Sequence, residues 1–155
     1  MKLVLKSTAQ KKISIIWFIN AGIMATIFIV FTIGKKFDGN DTEGWSWFTQ
    51  NIIPILTLMI ATFTHNINNP NSDGKLVDRF YFRLVKNLSI FYFFVLYITI
   101  LSAPLALKYS NIPILELLEK SKIYLSIFQG VVAYSLGLFF LKESKENNEA
   151  PNPNP

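Results

Sequence analysis

The chain has 155 residues, of which 51% are hydrophobic and 15% aromatic, and its formal net charge is +5. It contains no cysteine, which excludes disulfides and cysteine-ligated zinc or iron–sulfur centres, and its single histidine, His65, cannot build a histidine-rich metal site. The mean hydropathy of +0.35 is moderate because polar connectors dilute four strongly apolar stretches.

Those four stretches contain no Asp, Glu, Lys, Arg or His, and each has about the length of a membrane span. About 20 apolar residues are needed because an α-helix rises ~1.5 Å per residue across a hydrocarbon core of ~30 Å. We therefore predict an all-α integral membrane protein, a bundle of four transmembrane helices that forms one membrane domain over residues 13–142. The predicted spans are Ile13–Ile33, Trp47–Phe63, Leu88–Leu107 and Ile123–Leu141.

The first span follows a basic arm, residues 1–12, as the apolar region of a signal peptide would. Its apolar run is too long for a signal peptide, and residues 34–36 do not form a small-residue cleavage site, so we predict a retained signal anchor. Ala21 and Ala25 lie four residues apart and predict the close approach of another helix. Trp17, near the inner end of this span, is predicted to be an anchor at the membrane interface.

The second span is the least hydrophobic of the four, and it carries a polar stripe at helical spacing. The stripe consists of Gln50, Pro54, Thr57, Ala61 and Thr64. Pro54 removes one backbone donor, and the carbonyl that it frees needs another partner inside a membrane. The stripe indicates either helix–helix packing with hydrogen bonds across the bundle, or a face that lines a hydrated path once several chains assemble. Trp45 and Trp47, at the outer start of this span, are further predicted interface anchors.

The connector over residues 64–87 predicts a short basic amphipathic helix before the third span. A turn-forming run precedes it, with Ser72 or Asp73 as the predicted N-cap. Its basic side consists of Lys75, Arg79, Arg83 and Lys86, and its apolar side of Leu76, Val77, Phe80 and Leu84. Such a helix is typical of a surface that lies on an anionic lipid bilayer, and docking of an acidic cytoplasmic protein or of an anionic signal such as a nucleotide is the alternative.

The fourth span carries a second stripe of small and polar residues, which predicts helix association and favours a homo-oligomer. This stripe consists of Ser126, Gln129, Gly130, Ala133 and Gly137. Beyond it, Pro alternates with Asn over residues 151–155, and residues 143–155 have little apolar surface to bury, so we predict that residues 143–155 form a disordered cytoplasmic tail.

The distribution of basic residues predicts the orientation. The N-terminal arm, the connector and the tail hold 10 of the 15 Lys and Arg residues, and the two loops on the other side hold 5. Because positive charge stays in the cytoplasm, we predict a multi-pass protein of the bacterial inner (plasma) membrane with both termini cytoplasmic. This explains the net charge without nucleic-acid binding.

Catalytic and transport functions are both disfavoured. The chain offers no Ser/His/Asp set, glycine-rich phosphate loop or metal-ligand spacing, so we predict neither enzymatic activity nor a cofactor. Ion-coupled carriers usually need an ionisable residue within the bundle, and the predicted spans contain none.

Two stretches resemble small four-span inner-membrane proteins of bacterial antiphage defence loci. They are Trp45-Ser46-Trp47 followed by Asn51–Leu58, and Ile127–Ala133. The resemblance implies a membrane effector that permeabilises the inner membrane after a cytoplasmic partner senses infection. The second and fourth spans would then form the assembly and the path, and the basic connector would receive the signal. The alternative is a passive anchor, an immunity protein or an assembly subunit of a larger complex.

Overall fold

The structure is a computed structural model that describes residues 3–68 and 76–141. Five helices account for 87% of these residues, so the all-α prediction is confirmed. Four of the helices are long and apolar enough to cross a membrane. The elements in chain order are β1 Leu3–Leu5, α1 Lys6–Ile33, α2 Asp41–Asn68, β2 Leu76–Asp78, α3 Arg79–Leu101, α4 Ala103–Ser110 and α5 Ile114–Leu141.

The two strands were not expected from the sequence, and they join the starts of α1 and α3. β1 pairs with β2 in antiparallel register, with Val4 opposite Val77, and both of these side chains pack against the core. β1 leads directly into α1 and β2 directly into α3. These two helices therefore begin at the same end of the bundle, and the short turn after α1 sends α2 back in the opposite direction.

The separate amphipathic helix predicted before the third span is wrong for residues 76–86. Residues 76–78 form β2, and the basic residues that follow belong to the first two turns of α3. Asp78 provides the N-cap, because its carboxylate accepts a hydrogen bond of 2.9 Å from the backbone amide of Phe80. The predicted caps Ser72 and Asp73, together with Lys75, lie outside the described residues.

The third predicted span is also shorter at its far end than the sequence suggested. α3 ends at Leu101, and α4 starts again at Ala103 with Pro104 in its first turn. A proline at this position has no amide with which to continue the α3 ladder and its ring clashes with the preceding turn, so the helix breaks there. Asn111 then ends α4 in the left-handed conformation, with φ of 51°.

The core consists of large apolar and aromatic side chains from all four long helices. Near the α1–α2 turn, the ring of Phe28 stacks on Trp47 at 5.7 Å with only 9° between the planes. The buried ring of Phe37 lies over Gly44, where a Cβ would come within 2.7 Å of the ring carbons. This close contact explains why glycine occupies the first turn of α2.

Candidate functional site

The polar stripe of α2 lies on the outside of the protomer. All five of its members are exposed: Gln50, Pro54, Thr57, Ala61 and Thr64. The opposite side of α2, with Ile52, Ile55 and Met59, is buried in the core. The packing across the bundle that the sequence suggested therefore does not occur within the described protomer, with the exception of one backbone carbonyl.

That exception is the carbonyl of Gln50, which Pro54 leaves without its usual amide donor four residues later. The side chain of Gln129 on α5 donates a hydrogen bond of 2.7 Å to this carbonyl. The Gln50 side chain turns away and donates to the hydroxyl of Ser46 at 2.9 Å. Gln129 thus joins α5 to α2 at the edge of the stripe, through the carbonyl that Pro54 leaves free.

The small residues of α5 continue this surface. Gly130 and Gly137 face open space, because a Cβ built on either would meet nothing within 4 Å. Ser126 is exposed, while Ala133 is half-buried. At 100° per residue these positions lie on the same side of α5 as Gln129, which contacts α2. We call the combined region the α2–α5 surface; it consists of Gln50, Pro54, Thr57, Ala61 and Thr64 with Ser126, Gln129, Gly130, Ala133 and Gly137.

The α2–α5 surface is polar but carries no formal charge. Two of its hydroxyls bond within their own helices, Thr64 to the carbonyl of Ile60 at 3.1 Å and Ser126 to that of Ile123 at 2.8 Å. The hydroxyl of Thr57 has no partner among the described residues. From Gln50 to Thr64 the α2 stripe extends about 21 Å along the helix axis, which is about two-thirds of a hydrocarbon core.

Two of the predicted tryptophan anchors pack in the core of the bundle. Trp17 is fully buried on α1 and its ring lies 4.5 Å from that of Phe93. Trp47 is also buried, and its indole donates to the hydroxyl of Ser121 on α5 at 2.9 Å. Both rings therefore pack inside the bundle, and the interface depth expected for these two residues stays a prediction. Trp45 is half-buried and donates to the hydroxyl of Thr32 at 3.1 Å.

The small pair of α1 packs inside the protomer. Ala21 is buried and Ala25 is half-buried. Beside them, Asn20 accepts a hydrogen bond of 3.2 Å from the hydroxyl of Tyr97 on α3. This pair therefore serves the association of helices within one chain.

The predicted basic group begins α3, at the end of the bundle that holds the strands. Arg79 and Arg83 are exposed and Lys86 is half-buried. Neither arginine forms an ion pair with a described residue. The two ion pairs among the described residues both join Glu to Lys within α5. The connector's apolar side does not uniformly face the core, because Phe80 is 71% exposed and Leu84 is exposed as well.

Sequence reasoning missed a buried polar contact between α2 and α3. The hydroxyl of Tyr92 donates to Asn51, whose side-chain oxygen is 3.1 Å away, and the Asn51 amide donates to the carbonyl of Trp47 at 2.8 Å. The signal was an asparagine within the second predicted span that lies outside its polar stripe. On α1, the Ser14 hydroxyl and the Trp17 indole nitrogen are buried without a described hydrogen-bond partner.

At the end of the bundle opposite the strands, a cleft of about 200 Å³ lies between the starts of α2 and α5. It contains Glu43, Glu119 and Lys122, and the last two form an exposed ion pair of 3.2 Å. Among residues 3–68 and 76–141, no group of three His, Asp or Glu side chains is placed to hold a metal ion.

Comparison with known proteins assigns no family to the chain. No protein-family model, no curated protein and no solved structure matches it. The function is therefore argued from the geometry of the α2–α5 surface.

Proposed function

We propose that the protein is a non-enzymatic, homo-oligomeric membrane protein that assembles through the α2–α5 surface and acts as a membrane-perturbing effector or pore component. The main support for this proposal is that α2, a helix long and apolar enough to span a membrane, exposes an uncharged polar stripe. Polar groups facing lipid are costly, and a second copy of the same surface would supply hydrogen-bond partners. The open glycines of α5 would allow the helices of two copies to approach closely.

A hydrated path formed by this protein would run between protomers and not through one. The interior of the protomer is filled by large apolar and aromatic side chains, whereas Gln50, Thr57 and Thr64 line its outside. Several copies arranged around an axis would bring these stripes together. Because the stripe has no formal charge, the path would be weakly ion-selective and sensitive to dewetting.

The setting proposed for this assembly is the bacterial inner membrane with both termini in the cytoplasm. The 10-to-5 excess of Lys and Arg supports that orientation. The exposed Arg79 and Arg83 would then lie on the cytoplasmic side of the membrane. The resemblance to proteins of antiphage defence loci supports activation by a cytoplasmic partner protein.

Thr57 provides the test of conduction. Thr57→Leu should dry the path and abolish depolarisation during controlled overexpression, measured with a membrane-potential dye, while expression and oligomer size stay near wild type. Thr57→Ser keeps the hydroxyl and should retain the depolarisation. Undiminished depolarisation in Thr57→Leu would contradict the pore proposal.

A passive anchor, immunity protein or assembly subunit is the second candidate. The hydroxyls of Ser126 and Thr64 favour it, because both are satisfied within their own helices and need no water. In that case the α2–α5 surface would bind a different membrane subunit. The purified chain would then stay monomeric, depend on that subunit for stability, and cause no depolarisation when overexpressed alone.

A further inference from the structure

The strand pair, β1 with β2, has one face packed on the core and one face turned away from it. Val4 and Val77 point inward. Side chains alternate along a strand, so the neighbouring positions point outward. In agreement, Leu3, Leu5 and Leu76 are all exposed. The fourth outward position is Asp78, which lies opposite Leu3 and whose carboxylate accepts from the backbone amide of Phe80. The outer face of the strand pair is thus mainly apolar, and the ring of Phe80, in the first turn of α3, is exposed as well.

Basic residues dominate the surroundings of this apolar surface. Among the described residues 3–12 and 76–86, six are Lys or Arg and one is acidic. That acidic residue, Asp78, is engaged by the backbone amide of Phe80 at the start of α3. Arg79 and Arg83, which flank Phe80, form no ion pair with a described residue. An apolar face with a basic border is typical of elements that lie in the headgroup region of an anionic bilayer.

The lengths of α1 and α3 place the strand pair in the headgroup region of the bilayer. α3 has 23 residues and α1 has 28, which correspond to lengths of about 34 and 42 Å. If their far ends reach the opposite edge of a ~30 Å hydrocarbon core, the strands lie about 4 to 12 Å outside the near edge. Helix tilt lowers both values. The headgroup layer occupies about the first 5 to 7 Å.

We propose that the outer face of the strand pair is a binding surface for anionic lipid headgroups. Leu3, Leu5, Leu76 and Phe80 insert between the lipids, and the guanidinium groups of Arg79 and Arg83 bind the lipid phosphates. Paired backbone groups make the insertion feasible, since each strand satisfies the other on one edge and the second edge faces the hydrated headgroups. The site depends on membrane insertion alone and holds whether or not the protein oligomerises or conducts.

The absence of cysteine from the chain permits a direct test with single labelled positions. Leu76→Cys would carry an environment-sensitive fluorophore on the outer face of the strand pair. Thr42→Cys, exposed beside Asp41 and Glu43 in the first turn of α2 at the opposite end of the bundle, would carry it as a control. Each protein is reconstituted in phosphatidylcholine vesicles that contain nitroxide-labelled phosphatidylglycerol or, in parallel, equally labelled phosphatidylcholine.

The expected result is stronger quenching at residue 76 by the phosphatidylglycerol quencher, and no such preference at residue 42. Arg79→Gln and Arg83→Gln should each reduce the preference by up to about fivefold, and together bring it close to one. Circular dichroism checks that these variants keep their helix content. Inorganic phosphate added to pure phosphatidylcholine vesicles should leave the label unchanged.

Four results would overturn the inference. Equal quenching by both lipids at residue 76, or a preference that survives the loss of both arginines, would show that the site does not select anionic headgroups. A label quenched by aqueous iodide and by neither lipid would place the strand pair in water. A label protected from iodide and lipid alike would show that another protein chain covers this face.

Discussion

Gln129 and Pro54 should be thermodynamically coupled, although they lie on different helices and differ in chemistry. Pro54 frees the carbonyl of Gln50, and the side chain of Gln129 donates to it at 2.7 Å. Gln129→Met removes the donor and keeps the shape of the side chain. Interhelical hydrogen bonds in membrane proteins contribute ~0.6 kcal/mol on average and ~1.7 kcal/mol at most. A short bond to a carbonyl with no helical donor belongs in the upper half of that range, so we expect a loss of about 1 kcal/mol.

Pro54→Ala should rescue that loss. An alanine amide at position 54 supplies the missing i to i−4 hydrogen bond to Gln50, after which the carbonyl no longer needs Gln129. In the Pro54→Ala background, Gln129→Met should therefore cost close to nothing. The coupling energy of about 1 kcal/mol corresponds to a factor of about five in the folded-to-unfolded ratio.

A double-mutant cycle measures this coupling. The four variants are unfolded in bicelles by titration with sodium dodecyl sulfate and followed by circular dichroism. Ser126→Ala with Pro54→Ala is the matched control, because the Ser126 hydroxyl bonds to its own helix and should show no coupling. If Gln129→Met and Pro54→Ala add to within about 0.3–0.5 kcal/mol, Gln129 is not the substitute donor and the α2–α5 contact has been misjudged.

Three further outcomes follow from the structure. Gly130→Leu should fill the open space on α5 and reduce oligomer size in native gels, while Val131→Leu, on another side of α5, should leave it unchanged; equal sizes for both would remove this glycine from the interface. Gly44→Ala should lower the free energy of unfolding by about 1 kcal/mol, because its methyl group would press on the Phe37 ring. Overpacking costs ~1–3 kcal/mol, which exceeds the ~1 kcal/mol that alanine gains in helix propensity. Thermal unfolding in detergent measures the difference, and a variant more stable than wild type would show that the ring moves freely. Reporter fusions to the C-terminus should report cytoplasm and fusions after Asp38 the exterior, and the reverse pattern would overturn the orientation.

The sequence predicts the number and type of the long helices well, because an apolar run without charge has few alternatives in a membrane. The ends of these helices were predicted less well, although the sequence contains a signal for each end of α3. Pro104 marks the break after α3, and Asp78 is an N-cap residue directly before Arg79. The strand pair had no comparable signal. Three residues are too few for a periodic pattern, and the pairing depends on the approach of two segments more than 70 residues apart.

Periodicity identifies a helical face but not the direction in which that face points. In α1 the small pair at Ala21 and Ala25 packs inward, whereas in α5 the small pair at Ser126 and Gly130 is exposed. The sequence signature of both pairs is the same, because small residues favour close helix approach whether the partner helix belongs to the same chain or to another. Only the positions of the surrounding helices distinguish the two cases.

The outward direction of the α2 stripe bears directly on the function. In water, an outward polar stripe is the usual state of a finished protein, since water satisfies it. On a helix that crosses a membrane, the same stripe has lipid beside it, and lipid offers no hydrogen bonds. Thr57 lies in the middle of that stripe without a described partner. Both proposed functions therefore require that another chain covers this face. Whether that chain is a second copy or a different subunit separates the two functions.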